Sequence, residues 1–336
     1  MKRHYMLILS ILLCSFWGCK QKKAERVSLE NITRQELAME QLVRLPGQSP
    51  PTPYLLTDSI ILISHPESSS FLGVYLLGDS VLQRHSLKKR GDQISIPTKS
   101  DFQASFQFFN QKTLAIYQVQ NGLLTLDDFI RFNFANDRSP FQLVQLKNDL
   151  YACLGNYTEG IFALCERKKK EMAYTGDFPI DEPAAHAYIA RSGSGQIAKR
   201  ENQLIYATGV LGYIASYEYK WGRLKKQWEK QVSDYHYTIK EDNITFDPDR
   251  HLSGFGDIHI TDKHIYTIYW GQTKSMGLEI PNSIVVFDRK GNPLAYYLLP
   301  DQMSSITVDS REEYLYATYS PLINECYLVR FKLPVL

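Results

Sequence analysis

The chain has 336 residues, with 38 Lys and Arg against 36 Asp and Glu and a formal net charge of +2. That near-balance argues against the basic footprint of a nucleic-acid-binding protein and gives no electrostatic reason for a polyanionic partner. The length admits one domain or two, so internal repetition has to decide.

The first residues read as an export signal. Lys2 and Arg3 precede an apolar run from Met6 to Trp17, broken by Ser10 and Ser15. The run is shorter than the ~20 residues of a membrane-spanning helix and fits the core of a signal peptide. It ends in Gly18-Cys19, a small residue ahead of a cysteine, in the pattern of a bacterial lipobox. Residues 1–18 are therefore expected to be removed and Cys19 to carry lipid, anchoring the chain to a membrane. The alternatives are an ordinary cleaved signal or an N-terminal anchor helix. The stretch after Cys19, Lys20 to Arg26, is basic rather than acidic. This favours a periplasm-facing anchor, and with the lipobox the expected place is the bacterial cell envelope, lipid-anchored, periplasm-facing or at the outer membrane. Residues 19–38 are expected to form the lipidated tether. Residues 33–45 carry helical periodicity, with Thr33 and Glu36 placed for a capping box, so this stretch is either a short helix or extended.

A pattern then recurs: a short β-rich run, a polar turn and a second β-rich run. It appears as Tyr54–Ile63, Phe106–Ile116, Phe141–Tyr151, Gln196–Tyr206, Asp257–Tyr266 and Ser305–Tyr316. Leu62, Ala115, Tyr151, Tyr206, Tyr266 and Tyr316 are equivalent, at a typical spacing of about 50 residues. Each copy is followed by a third apolar strand: Phe71–Leu77, Leu123–Phe132, Gly160–Cys165, Tyr213–Tyr219, Ser283–Phe287 and Cys326–Phe331. A fourth strand, Leu294–Leu299, follows the turn Asp288–Asn292 in the fifth copy. Six units of this kind predict one all-β domain over residues 39–336, a six-bladed β-propeller. Gln41–Leu45 is a β-capable run placed to supply the outer strand of the last blade and close the ring.

Several segments carry a likeness beyond the repeat itself. They are Pro140–Val144, Glu159–Leu164, Gly176–Pro179, Asp257–Trp270 and Val286–Pro293. They resemble the TolB-like six-bladed β-propeller lipoproteins of Gram-negative bacteria, over roughly residues 40–336. The resemblance implies a propeller at the cell envelope. Gly91–Pro97 departs from the Gly-Pro-Gly-like turn that members often carry entering the second blade.

Signatures of chemistry are scarce. No nucleophile elbow, phosphate loop, His-Glu-x-x-His or Cys-x-x-Cys is present. Asp247-Pro-Asp249-Arg-His251 lacks the third oxygen ligand, glycine and glutamate of a calcium loop, so no metal, cofactor or catalytic residue is predicted. Asp257 and His259 stand two apart on a strand and point to one side. They either solvate the central channel or contact a ligand there. Arg191, Tyr157, Glu159 and Trp270 are further ligand-binding candidates at a channel mouth. Cys153 and Cys165 flank a predicted hairpin and are either a cross-strand disulfide or two buried thiols. These features favour an envelope-anchored binding or scaffold lipoprotein. Its expected partner is a peptide, glycan or envelope protein held on one propeller face, with no nucleic acid involved. The alternative is a metal-dependent propeller hydrolase or lyase with its site in the channel.

Overall fold

The computed structural model describes residues 24–45, 51–64, 72–76, 93–95, 103–110, 112–132, 134, 140–167, 169, 171–192, 195–241, 243–277, 281–321 and 325–336. Residues 1–18, read from the sequence as a signal, Cys19 and the first residues of the expected tether lie outside them.

Three short strands come first: β1 (Glu25–Arg26), β2 (Arg34–Glu36) and β3 (Met39–Leu45). Blade one holds β4 (Thr52–Thr57), β5 (Ile60–Ser64) and β6 (Leu72–Leu76). Blade two holds β7 (Gln93–Ser95), β8 (Gln103–Asn110), β9 (Thr113–Gln120) and β10 (Leu123–Arg131), with β7 on the outer edge. Blade three is β11 (Pro140–Lys147), β12 (Leu150–Gly155), β13 (Phe162–Glu166) and β14 (Met172–Thr175). Helix α1 (Pro183–Ser192) leads to blade four: β15 (Gly195–Arg200), β16 (Gln203–Thr208), β17 (Tyr213–Lys220) and β18 (Arg223–Gln231). A separate hairpin, β19 (Tyr237–Lys240) and β20 (Asn243–Phe246), precedes blade five. That blade is β21 (Phe255–Ile260), β22 (His264–Tyr269), β23 (Ser283–Asp288) and β24 (Pro293–Leu298). Blade six is β25 (Met303–Val308), β26 (Tyr314–Tyr319) and β27 (Cys326–Lys332).

The molecule is a six-bladed β-propeller. Each repeat read from the sequence is the hairpin of a blade's two inner strands. The predicted third strands occupy β6, β10, β13, β17, β23 and β27. Six apolar clusters among the described residues fill the six gaps between blades. Along β23 the side chains alternate. Ile284 and Val286 enter the gap with blade six, whereas Val285 and Phe287 enter the gap with blade four. A strand buried on both faces reads as an unbroken apolar run, and each such side chain contributes about 1.5–3 kcal/mol on burial.

The chain before β4 is not a free tether in its described part. β1 lies parallel to β18, β2 parallel to β24, and β3 antiparallel to β27. The N-terminal segment thus girdles the outer edges of blades four, five and six in turn. Lys230, whose side chain is 5 % exposed, binds Glu25 at 2.6 Å, and Arg330 forks onto both oxygens of Glu40 at 2.6 and 2.9 Å. Within residues 33–45 the chain is extended, with strands at Arg34–Glu36 and Met39–Leu45, and not helical. Their periodicity loses to the unpaired backbone edges that blades five and six present, and Leu37 is buried between those blades. β3 closes the ring as expected.

Short turns join the first strand of a blade to the second, and the third to the fourth; they gather on one end of the ring, the turn face. The loops between second and third strands, with the blade-to-blade connections, gather on the other end, the loop face. Cys153 and Cys165 are buried free thiols on β12 and β13, with Cys153 Sγ donating to Cys165 Sγ at 2.8 Å.

Candidate functional site

The loop face carries a recess of about 850 Å³ over blades four and five. Loop-face connections build it. After β18 the chain crosses the top of blade four, folds out as the β19–β20 hairpin, and returns through Asp247–Gly254 to start β21. Asp247 Oδ1 accepts the backbone N–H groups of Asp249 and Arg250 at 2.9 and 3.2 Å, and Ser275 Oγ donates to Asp249 Oδ1 at 2.5 Å. These two carboxylates brace the turn that returns the chain to β21.

Gly254 is the pivot beneath the recess. Its N–H donates to Gly209 O at 2.7 Å, and its carbonyl accepts from Trp270 N–H at 2.9 Å. The two loops that floor the recess are thereby tied together. A Cβ at Gly254 would lie 1.7 Å from Leu211 O and 2.2 Å from Thr208 O, so only glycine fits.

His251 fixes the hairpin to that floor. Its Nε2–H donates to Val210 O at 2.7 Å, while Nδ1 accepts the His236 N–H at 3.4 Å. These partners select the Nε2–H tautomer. The ring lies 4.1 Å from the centroid of Phe246. Burial holds the His251 pKa below its ordinary value, opposed by the bond to Val210. Phe246 in turn meets Tyr188 of α1 at 5.3 Å. The helix begins with Pro183, whose missing N–H has no intrahelical role at that position, and buries Ala185 and Ile189 between blades three and four. Tyr188 is left half-turned to solvent, 37 % exposed. Tyr188, Phe246 and Trp270 thus give the recess three aromatic walls, with Val210 and Ile244 beside them and Thr245, Gln272 and Lys274 supplying polar groups.

The second cavity is the channel, about 430 Å³, which reaches the turn face. Its inner strands are stapled side by side. Gln142 exchanges two hydrogen bonds with the backbone of Ile197, at 2.9 and 3.1 Å. Asp257 accepts from the Ser305 hydroxyl and from Ile306 N–H at 2.9 Å. His259 Nδ1 lies 3.4 Å from Thr307 Oγ1. Burial raises the Asp257 pKa against those hydrogen bonds. Burial, with the Arg200 charge nearby, lowers that of His259 to about 4. Among the described residues no group of three His, Cys, Asp or Glu side chains is placed to hold a metal ion.

A family model described as "TolB-like 6-blade propeller-like" matches residues 78–311. The chain belongs to that family. Solved structures similar to this TolB-like propeller include a luciferin-regenerating enzyme, with 10 % identity and a TM-score of 0.46 over 88 % of this chain and 95 % of the other. The WD40 propeller domain of Doa1 shows 8 % identity and a TM-score of 0.44, over 87 % and 97 %. Glutaminyl cyclase of Myxococcus xanthus shows 9 % identity and a TM-score of 0.41, over 90 % and 100 %. No curated protein matches the chain.

The candidates read from the sequence fall in three places on the TolB-like ring. Trp270 lines the loop-face recess. Arg191 belongs to α1, which borders the recess through Tyr188 and Ser192, but its side chain lies outside the described residues. Asp257 and His259 touch the channel, yet both turn toward blade six rather than standing free in it. Tyr157 and Glu159 sit on blade three's own loop. Glu159 is exposed and accepts the Thr158 N–H at 3.1 Å. Tyr157 corrects its placement at a mouth: it is 1 % exposed, packed on Tyr174 at 5.4 Å under Gly155, because the loop folds its ring inward. Burial pushes its hydroxyl pKa up. Tyr188, Phe246 and His251 were not predicted. Their only sequence signal is that aromatic residues stand in connections, where no blade needs them.

Proposed function

We propose that this propeller is an envelope-anchored binding protein and that it holds a short peptide segment of a partner in the loop-face recess. The observation that carries this is the recess itself, a pre-formed concavity of about 850 Å³ walled by Tyr188, Phe246 and Trp270. Ligand sites are usually concave, largely apolar and fitted with a few fixed polar groups, at about 300–1,000 Å³. Aliphatic Val210 and Ile244 beside the aromatic walls favour an apolar side chain over a sugar ring. Gln272 and Lys274 stand where a peptide backbone or carboxylate offers acceptors. Anchoring rests on the Gly18-Cys19 pattern and on the family's suggested place at the bacterial envelope.

The test is to screen the purified protein against envelope-protein peptides and cell-wall glycans, and to measure affinity for each hit with wild type and Trp270→Ala. Peptide binding weakened about tenfold or more by Trp270→Ala supports the proposal, a loss in the range of a buried aromatic contact. Hits confined to glycans, or peptide binding indifferent to Trp270→Ala and Phe246→Ala alike, reject it.

A further inference from the structure

The β19–β20 hairpin stands apart from the blades as a two-stranded sheet. Such a hairpin is marginal on its own and gains from a third strand. Residues paired across an antiparallel hairpin alternate between those that exchange backbone hydrogen bonds and those that do not. Asp247 N–H donates to His236 O at 2.9 Å. Stepping by two from that bond, Thr238 with Thr245 and Lys240 with Asn243 are the bonded pairs, whereas Tyr237 with Phe246 and Ile239 with Ile244 are not. The N–H and C=O groups of Ile244 and Phe246 therefore point away from β19. Among the described residues no hydrogen bond reaches any of these four groups. Backbone donors and acceptors of a folded chain ordinarily find partners.

This edge of β20 overlooks the loop-face recess. Ile244, Thr245 and Phe246 all line it, although Thr245 points to the opposite face of the strand from its neighbours. A cavity that meets both faces of a strand lies along its edge, and no residue of β19 takes part in the lining. Helix α1 covers the face beneath: Ile244 packs with Ala185 and Ile189, and Tyr188 meets the Phe246 ring. The β22–β23 loop is fastened beside the end of β20, Ser275 N–H donating to Pro248 O at 3.0 Å. That loop brings Trp270, Gln272 and Lys274 to the recess. The strand itself, Asn243–Phe246, carries neither Lys nor Pro, the residues that commonly blunt an exposed edge. Elsewhere the chain lays short extended pieces on its own outer edges, β1 on β18 and β2 on β24. The edge of β20 has no such cover among the described residues.

We propose that the partner peptide binds as an extended strand along the free edge of β20, hydrogen-bonded to Ile244 and Phe246, with alternate side chains entering the recess. This rests on the peptide reading of the recess and specifies the conformation bound there. The open groups of Ile244 and Phe246 repeat about 7 Å apart, a spacing that a second polypeptide backbone matches and a sugar ring does not. Backbone bonds of this kind supply affinity with little regard to sequence, and the pocket reads every second side chain. The partner segment is therefore one that alternates, with apolar residues facing the aromatic walls and polar residues between them. It carries no proline where its N–H groups meet β20.

The test uses the full chain. The probe is the tightest-binding envelope-protein peptide of the screen above, together with the same peptide N-methylated at one residue at a time. An N-methyl group removes a donor and crowds the edge, so on an added strand it harms alternate residues only. The expected result is affinity lost about tenfold or more at every second position of the bound segment, and near that of the unmodified peptide between them. In protein isotope-labelled at Ile and Phe, amide exchange at Ile244 and Phe246 is expected to slow when the peptide binds, since both gain partners. Losses that do not alternate, or unchanged exchange at Ile244 and Phe246 with peptide bound, overturn the proposal. Trp270→Ala separates the two claims. A peptide that needs Trp270 but shows no alternation rejects the strand and leaves the recess reading standing, whereas a screen without peptide hits rejects both.

Discussion

Asp257 and Ser305 are hydrogen-bonded across the gap between blades five and six, the Ser305 hydroxyl donating to Asp257 Oδ2. The same oxygen accepts the Ile306 N–H at 2.9 Å, and Oδ1 accepts the Ile258 N–H at 2.9 Å. One carboxylate therefore ties the inner strands of two blades. Asp257→Ala leaves three donors without it and is expected to destabilise the ring by about 1.5–3 kcal/mol. Asp257→Asn keeps one acceptor oxygen and loses less. Urea unfolding monitored by tyrosine fluorescence measures both; an unchanged midpoint for the alanine variant refutes the staple.

Acid is expected to loosen the protein through two histidines. His259 has a folded-state pKa of about 4, and His251 is also held below the ordinary 6.5. Between those limits the unfolded chain binds more protons than the folded one, so stability is complete above pH 6.5 and declines as the pH falls toward 4. Arg200 and Glu312 act on His259 in opposite senses, as His236 and Asp247 do on His251. His259 alone accounts for a loss on the order of 2–3 kcal/mol. His259→Gln should flatten the decline in thermal midpoint between pH 6.5 and 4.5 relative to wild type.

The N-terminal girdle predicts graded effects of truncation. A chain starting at Met39 keeps β3 and loses only the added fifth strands on blades four and five. A chain starting at Gly47 also loses β3, exposing the edge of β27 and removing Glu40 from Arg330. The first should remain monomeric with a lowered midpoint, and the second should aggregate or unfold without cooperativity. Size-exclusion chromatography with thermal melts separates the two, and equal behaviour contradicts the closing role of β3.

Gly254→Ala is expected to cost about 1–3 kcal/mol, since the new methyl must displace the carbonyls of Leu211 and Thr208. Both loops under the recess move with it, so peptide binding should fall along with stability. Gly222→Ala, on the turn face away from the recess and with no atom within 4 Å of the added carbon, serves as the control and is limited to the strain of its φ of 80°.

The inner hairpins were legible because burial on both faces writes itself as dense β-branched and aromatic runs, as in Ile258 to Tyr269. β1 and β2 were not. They are two and three residues long and exposed throughout, so nothing in their composition marks them as strands; only the edges of blades four and five do. Helix α1 hides in an alanine-rich connection, with too narrow an apolar stripe to stand out beside the blades. Trp270 was visible as a ring ahead of Gly271. The rest of its site was not, because Tyr188, Phe246 and Trp270 come from three connections that only the ring brings together. Asp257 and His259 were seen as a same-side pair, but period two does not say which neighbouring blade that side faces.

The girdle also sets an order of events. Glu25 and Lys230 are 205 residues apart in sequence, and Glu40 and Arg330 are 290 apart. The first strands to leave the ribosome thus wait for the last to arrive. Closing so long a loop is entropically slow, and contacts of high sequence separation form late. Until then the polypeptide has no locked state. On the proposed envelope-anchored reading, that delay keeps the chain threadable during export and postpones the latch until both ends share one compartment.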